Sequence, residues 1–409
     1  MYIADFHIHS KYSRATSKDM EPGALAAWAK LKGIGLMGTG DFTHPEWFAA
    51  LKAVLREVDY GVYRYNDVDF ILTTEVSNIY FKAGKVRKVH AMIFAPGFDV
   101  AREIGKALAE YGNLSSDGRP ILKMGCDALV KTVRSIASDA FVVPGHIWTP
   151  HFSLFGANSG FDAIEECFEE ETPHIYALET GLSSDPPMNW RWSKLDRFTL
   201  VSNSDAHSPA KIGREANVFS ERIRYKDLID ILKTKDKKRF LYTIEFFPEE
   251  GKYHWDGHRA CSARLSPSEA MKINNRCPRC GKAVTIGVLH RVESLADRPE
   301  GSGPVAGPSF RHVVPLMELI GEALGVSPDS VSVEREYMQI VKNCQNEFRV
   351  LLELDDKELR DACGPKIARA VMKSRSGDVE IMPGYDGEYG TVRVLKQDEG
   401  VTEKQLKFF

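Results

Sequence analysis

The stretch Asp5-Phe6-His7-Ile8-His9 sets two imidazoles one residue apart, each preceded by an apolar neighbour. In a strand successive side chains point to opposite faces, so His7 and His9 share one face and Phe6 and Ile8 take the other. The same device returns far along the chain in Ser204-Asp205-Ala206-His207, where Asp205 and His207 pair in the same way. Two such pairs of nitrogen and oxygen donors, bracketing one long stretch, point to a metal cluster.

Between the pairs the pattern repeats. Gly35-Leu36-Met37-Gly38 leads to Asp41, Phe70-Ile71-Leu72-Thr73-Thr74 leads to Glu75, and Phe141-Val142-Val143-Pro144-Gly145 leads to His146; His90 instead precedes its run, Ala91-Met92-Ile93-Phe94. Helical periodicity over 23–32, 47–57 and 101–111 alternates with these runs, which predicts an α/β fold with a parallel barrel or sheet. In such a fold the functional groups collect at the carboxyl ends of the strands. A lone histidine after a strand is most often structural, but His7, His9, Asp41, Glu75, His90, His146, Asp205 and His207 fall in phase and read together as ligands.

These motifs resemble those of the PHP phosphoesterases. Gly38-Thr-Gly-Asp-Phe, Glu179-Thr-Gly-Leu-Ser-Ser-Asp and Ser202-Asn-Ser-Asp-Ala-His-Ser-Pro are similar to the endonuclease Q branch, and the resemblance runs over nearly the whole chain. It implies a distorted (β/α)7 PHP-type barrel over residues 1–247 that holds two or three divalent ions, Mg2+, Mn2+ or Zn2+. Glu75 is expected to bridge the ions, and Asp205, Glu75 and His207 to carry catalysis. The implied activity is DNA repair: hydrolysis of the phosphodiester 5′ of uracil, hypoxanthine, xanthine or an abasic site, leaving 3′-hydroxyl and 5′-phosphate ends. Asp41 stands where many members carry histidine in a Thr-Asp-His signature, and an acid there would favour the harder ions.

The 409 residues are 43% hydrophobic with a formal charge of −3. No apolar run is long enough to span a bilayer, and the start, Met1-Tyr2-Ile3-Ala4-Asp5, lacks a basic or signal-like segment, so a cytoplasmic location with no membrane partner is expected. The near-neutral charge argues against a broad basic face, so DNA must be held by local patches. The cysteine count of seven is odd, and three belong to a metal pattern, which disfavours a disulfide framework.

That pattern opens after Phe247-Pro248-Glu249-Glu250-Gly251. His258-Arg-Ala-Cys261 and Cys277-Pro-Arg-Cys280 have the spacing of two knuckles on a tetrahedral structural Zn2+. His254 and His290 lie near enough in sequence to replace His258 as the fourth ligand. The zinc module is assigned to residues 248–297.

The Gly- and Pro-rich stretch 298–308 reads as a linker opening a helical domain, residues 298–375, with periodicity over 314–324, 334–343 and 356–362. Within it Ala362-Cys363-Gly364-Pro365-Lys366-Ile367 resembles the second half of a helix-hairpin-helix, in which Gly364 and Lys366 would hold a DNA phosphate; an ordinary interhelical turn is the alternative. Residues 376–400 read as short strands joined by glycine turns, with Tyr385 and Tyr389 placed to stack on an exposed base or to pack the hairpin, packing being the commoner use. In the tail, 401–409, Gln405, Leu406, Phe408 and Phe409 resemble the bacterial sliding-clamp binding motif, the alternative being an edge strand folded onto the body.

Selecting a deaminated base requires the nucleotide to leave the stack and enter a pocket. That pocket is expected between barrel and zinc module, with the loop 181–190 as a candidate wall. Two other readings compete. A small-molecule phosphatase of the histidinol phosphate type would not need the appended modules, and a non-catalytic lesion-binding scaffold would show missing ligands.

Overall fold

The computed structural model describes residues 1–303 and 306–395. Strand β1 (Tyr2–Asp5) pairs in parallel with β2 (Leu36–Gly38). The crossover helix, Pro22–Lys32, has proline in its first turn and ends at Gly33 in the left-handed region. Strands β3 (Arg56–Asp59) and β4 (Val62–Tyr65) form a hairpin on the edge of β5 (Val68–Lys82), which itself runs parallel to β2.

The expected alternation of strand and helix breaks at this point. Strand β5 does not stop at Glu75 but continues to Lys82, turns through Ala83 and Gly84, both at positive φ, and returns directly as antiparallel β6 (Lys85–Ala95). Two positive φ angles are the geometry of a tight hairpin turn, so no crossover helix is needed. Strand β7 (Ile121–Leu122) adds to the free edge of β5 in parallel, and β8 (Phe141–Pro144) pairs antiparallel with β6. Strands β9 (Ala177–Glu179) and β10 (Thr199–Val201) form a separate parallel pair, while β11 (Ala216–Phe219) links β1 to β12 (Phe240–Glu245), antiparallel to both.

Ten of these strands, all but β3 and β7, contribute side chains to a shared core that includes Ile71, Met92, Phe94, Phe141, Val201 and Phe219. The sheet curls around it without closing. The β9–β10 pair joins its neighbours through local contacts such as the Ile147 N–H to Glu179 carbonyl bond at 3.1 Å and a bridge between Ile8 and Ala206. The fold is thus mixed α/β, with a curled, open sheet where a distorted (β/α)7 barrel was expected.

Strands β13 (Asp256–His258) and β14 (Ala263–Leu265) form the hairpin of the cysteine-bearing segment. Its own apolar core is small, built on Ala263, Cys277 and Val284. Strand β15 (Ser309–His312) then returns to the barrel and pairs in parallel with β12, so the predicted linker delivers a further strand to the main sheet. Helices Leu316–Leu324, Val331–Cys344, Glu347–Leu352 and Asp356–Ser376 follow. The last is broken at Gly364 (φ 75°, ψ 166°), where Pro365 restarts it. A buried ion pair, Lys32 with Glu347 at 2.6 Å, ties these helices to the barrel.

Strands β16 (Glu380–Met382) and β17 (Thr391–Arg393) pair beside the cysteine-bearing segment, where the Trp255 N–H donates to the Gly384 carbonyl at 2.9 Å. Tyr385 is buried there, whereas Tyr389 is exposed. Among the described residues no helix is long and apolar enough to cross a membrane. Gln405, Leu406, Phe408 and Phe409 lie outside the described residues.

Candidate active site

Donor atoms of His7, His9, Glu75 and Asp205 lie within 4.8 Å of one another, and so do those of Glu75, His90 and His146. Glu75 belongs to both groups, with one oxygen in each. Its Oε1 stands 2.8 Å from His90 Nδ1 and 3.0 Å from His146 Nε2, and its Oε2 stands 3.2 Å from His9 Nε2 and 3.5 Å from His7 Nε2. The parent strands explain the convergence. β5 and β6 are antiparallel with Ser77 opposite His90, so a residue that precedes its apolar run reaches the same rim as residues that follow theirs.

The histidines are held from behind. His7 Nδ1 contacts the Glu179 carboxylate at 3.0 Å and His9 Nδ1 contacts Asp41 Oδ1 at 3.1 Å. A carboxylate in its ionised form only accepts, so each Nδ1 carries the proton and each Nε2 presents a lone pair to the cluster. The Thr149 hydroxyl is within 2.9 Å of the His151 carbonyl, to which it donates, and at 3.1 Å accepts from His146 Nδ1, giving His146 the same tautomer. His7 Nε2, His9 Nε2 and Asp205 Oδ1 are buried without a hydrogen-bond partner. Three orphaned acceptors converging on one point are what a divalent cation requires, and nitrogen with carboxylate oxygen suits Mn2+ or Zn2+ as well as Mg2+.

Two expected ligands are placed differently. Asp41 is in neither group because its oxygens are already used: Oδ1 by His9, and Oδ2 by the Ser10 N–H at 2.7 Å, the Ser10 hydroxyl at 2.6 Å and the Ser13 hydroxyl at 2.8 Å. It contacts His9 from behind, whereas the sequence suggested direct ligation. His207 also lies outside both groups. Its Nδ1–H donates to the Asp205 carbonyl at 2.8 Å, and its ring stands 4.5 Å from that of His9 at the rim.

Two residues escaped the sequence reading. Glu179 accepts from His7, from the His146 N–H at 2.7 Å and from Asn203 at 2.9 Å; it follows the short run Ala177-Leu178, the same signal that marked Glu75. Arg119 donates to Glu75 Oε2 at 3.1 Å from a loop with no periodicity to betray it. That loop comes close because residue 118 is glycine: a Cβ there would stand 2.2 Å from Asp41 Oδ2.

Charge and strain mark the same place. Burial works to raise the Glu75 carboxyl, but the neighbouring His90, His7 and Arg119 outweigh it and hold the group well below the usual range. Burial likewise works to raise the Asp205 carboxyl, but the neighbouring His9 and His7 outweigh it and hold the group low. Burial lowers His90 to about 4, against the pull of Glu75. Asp41, His146 and Asp205 all have positive φ, an arrangement that costs energy in non-glycine residues and gathers at functional sites.

Donor atoms of His258, Cys261, Cys277 and Cys280 form a third group within 4.8 Å. Neither alternative fourth ligand joins it: His290 Nδ1 is bonded to Asp256 at 2.6 Å, and His254 is buried elsewhere. Gly364 and Lys366 sit at the break in the last helix, away from all three groups in sequence and in element.

A cavity of about 320 Å³ opens between the barrel loops and the cysteine-bearing segment, lined by residues that include His151, Leu182, Ser183, Tyr253, His254 and Tyr389. Thr149, the partner of His146, is part of its wall.

Residues 315–378 match the family described as MJ0043 C-terminal domain. The chain is 30% identical over 407 residues to the uncharacterized protein YqxK of Bacillus subtilis, covering 95% of this chain and 98% of that one. It is 32% identical over 261 residues to the uncharacterized protein MJ0043 of Methanocaldococcus jannaschii, covering 61% of this chain and 32% of that one. Among solved structures, the lesion-specific endonuclease PfuEndoQ from Pyrococcus furiosus superposes with a TM-score of 0.86 at 29% identity, over 99% of this chain and 98% of that one. An endonuclease Q complex with a 27-mer duplex bearing an abasic lesion at its active site gives 0.84 at 29% identity, over 99% of each chain. Agreement over the full length, in fold as in sequence, places the chain in the endonuclease Q family.

Proposed function

We propose that this enzyme is a metal-dependent DNA repair endonuclease that hydrolyses the phosphodiester 5′ of a deaminated base or abasic site, leaving 3′-hydroxyl and 5′-phosphate ends. The observation that carries the reading is Glu75, one oxygen in each of two converging donor groups, on a chain that matches lesion-specific endonucleases end to end. His7, His9, Glu75 and Asp205 would hold one divalent ion and Glu75, His90 and His146 a second. Ions bound there would acidify water and neutralise charge on the phosphate.

The chain's own residues do the rest. Glu179, Asp41 and Thr149 fix the tautomers of His7, His9 and His146, so the lone pairs are set before any ion arrives. Asp205 and His207 stand at the open edge, where Asp205 would orient the attacking water. Arg119 reaches the same edge and would meet the anionic phosphate. The cavity beside Thr149 would take the extruded base; its size falls in the range of about 300–1,000 Å³ that accommodates small organic groups. His258, Cys261, Cys277 and Cys280 would hold a structural Zn2+. Gly364 and Lys366 remain the proposed phosphate contact of the helical part, and residues 405–409 the proposed clamp contact. The boundaries at 247, 297, 375 and 400 are proposed as those of the functional modules.

The test is incision of an end-labelled duplex carrying a single uracil, hypoxanthine or abasic site, with Mg2+ or Mn2+, beside Asp205→Ala. A cut immediately 5′ of the lesion, absent in the variant, is expected. Intact duplex together with phosphate release from small esters would overturn the reading.

A further inference from the structure

The hairpin of β5 and β6 is longer than the barrel needs. Its inner half supplies Glu75 and His90, and its outer half runs on to the Ala83-Gly84 turn with β7 added at one edge. The pairing is continuous from Leu72 with Ala95 to Lys82 with Lys85, so side-chain direction follows by counting. Asn78, Tyr80, Arg87 and Val89 face the body: Asn78 donates to the Met124 carbonyl at 3.2 Å, Tyr80 touches Cys167, and Arg87 lies over the Phe161 ring. The opposite face carries Glu75, Ser77, Ile79 and Phe81 on β5 with Val86, Lys88 and His90 on β6. It begins at the metal ligands and ends in exposed apolar groups, Phe81 at 73%, Val86 at 52% and, on β7, Ile121 at 53%.

A half-buried sheet normally turns a polar face to water. This one turns a largely apolar face whose one cation is Lys88, opposite Ile79. Resting on the proposed nuclease function, we infer that the outer half of this hairpin is a docking blade for the damaged duplex, with Phe81 against bases exposed by extrusion of the lesion and Lys88 against a backbone phosphate. Two features favour DNA as the occupant. The face is continuous with the one presenting Glu75 and His90, and its tip lies about 20 Å beyond Glu75, one duplex width, by the rise of a strand. Lys88 on the same face is complementary to phosphate. Aromatic groups stack on bases of any identity, which suits an enzyme that accepts different lesions.

Phe81 is exposed, so Phe81→Ser leaves the core intact. Incision of a uracil-containing duplex by Phe81→Ser is expected to show a KM about ten-fold above wild type, with a smaller change in kcat and recovery in Phe81→Tyr. Lys88→Glu is expected to weaken binding and flatten its salt dependence. Wild-type KM in Phe81→Ser, with the wild type cutting normally, overturns the blade alone; a wild type that cuts no damaged duplex overturns the nuclease reading beneath it. Loss of a wild-type dimer on sedimentation of Phe81→Ser, with KM unchanged, would assign the face to a second copy of the chain and equally overturn the inference.

Discussion

Glu179 belongs to neither of the convergent donor groups, yet it accepts from the His7 ring, the His146 backbone and Asn203 at once. Partners behind metal ligands set affinity through tautomer and ring orientation, and losing one typically costs about 10–100-fold. Glu179→Gln preserves volume but offers an amide that can donate where only acceptance serves. Mn2+ titration by calorimetry should show binding weaker by about that factor with little change in Tm; unchanged affinity would make Glu179 a packing residue. Arg119 is tested differently, because a guanidinium meeting the phosphate should matter most as charge develops in the transition state. Arg119→Ala should lower kcat by about 10²-fold or more while metal content stays at the wild-type level, and Arg119→Lys should recover part of it. An unaltered kcat in Arg119→Ala would leave Arg119 as a partner of Glu75 only. At this scale the sequence revealed donor types well and their shells poorly. His7, His9, Glu75 and Asp205 announce themselves by strand parity, but whether Asp41 ligates or supports depends on Ser10 and Ser13, whose hydroxyls carry no periodic signal.

Among the elements, the cysteine-bearing segment is the one that cannot stand alone. Its buried apolar core is Ala263, Cys277 and Val284 with Cys261, Leu265 and Ile286 packed against them, so a metal held by the proposed ligands would supply what packing does not. A strong chelator, or Cys277→Ser, should expose the segment around 259–283 to proteolysis while the barrel melts at its usual temperature; simultaneous melting of both would show that the barrel carries the segment. The spacing of the two knuckles made this element legible from sequence, since tetrahedral geometry restricts ligand spacing tightly. The β5–β6 hairpin was not legible in full. Its apolar run was visible from Phe70 to Thr74, but beyond Glu75 the strand continues through Ser77, Asn78 and Tyr80, whose polar atoms are buried by partners distant in sequence. Strand β15 was hidden similarly, because Ser309-Phe310-Arg311-His312 is a strand by virtue of the β12 edge it meets.

Across the whole molecule, the appended parts are joined to the barrel by charged groups taken out of water. Arg291 donates to the Phe155 and Phe161 carbonyls at 3.0 and 2.9 Å, and His312 meets Asp185 at 3.0 Å. On the helical side Glu347 receives Lys32, the Tyr337 hydroxyl at 2.8 Å and the Leu316 N–H at 3.1 Å. Lys32→Met would leave that carboxylate buried with two neutral donors, and breaking a buried pair in this way costs about 3–5 kcal/mol, measurable by urea denaturation. A loss below about 1 kcal/mol would mean that water reaches Glu347.

A second buried feature gives stability a dependence on pH. Burial raises the carboxyls of both Glu215 and Glu245 well above the ordinary 4.5, and for Glu215 the neighbouring Glu245 adds to the rise. A raised folded value means that the neutral acid is favoured in the folded state. The contribution of the pair is therefore fully present below the ordinary glutamate range and is lost as pH rises toward the folded value, at up to about 1.4 kcal/mol per unit for each group. Glu245→Gln keeps the shape, removes one titrating group and relieves the repulsion on the other. The gap in Tm between variant and wild type should widen in the variant's favour from pH 5 to pH 8, because only the wild type has two carboxyls to keep protonated. A constant gap would show that an unseen counter-ion already neutralises the pair, and the buried carboxyls would then act as a cation site and not as a shared proton.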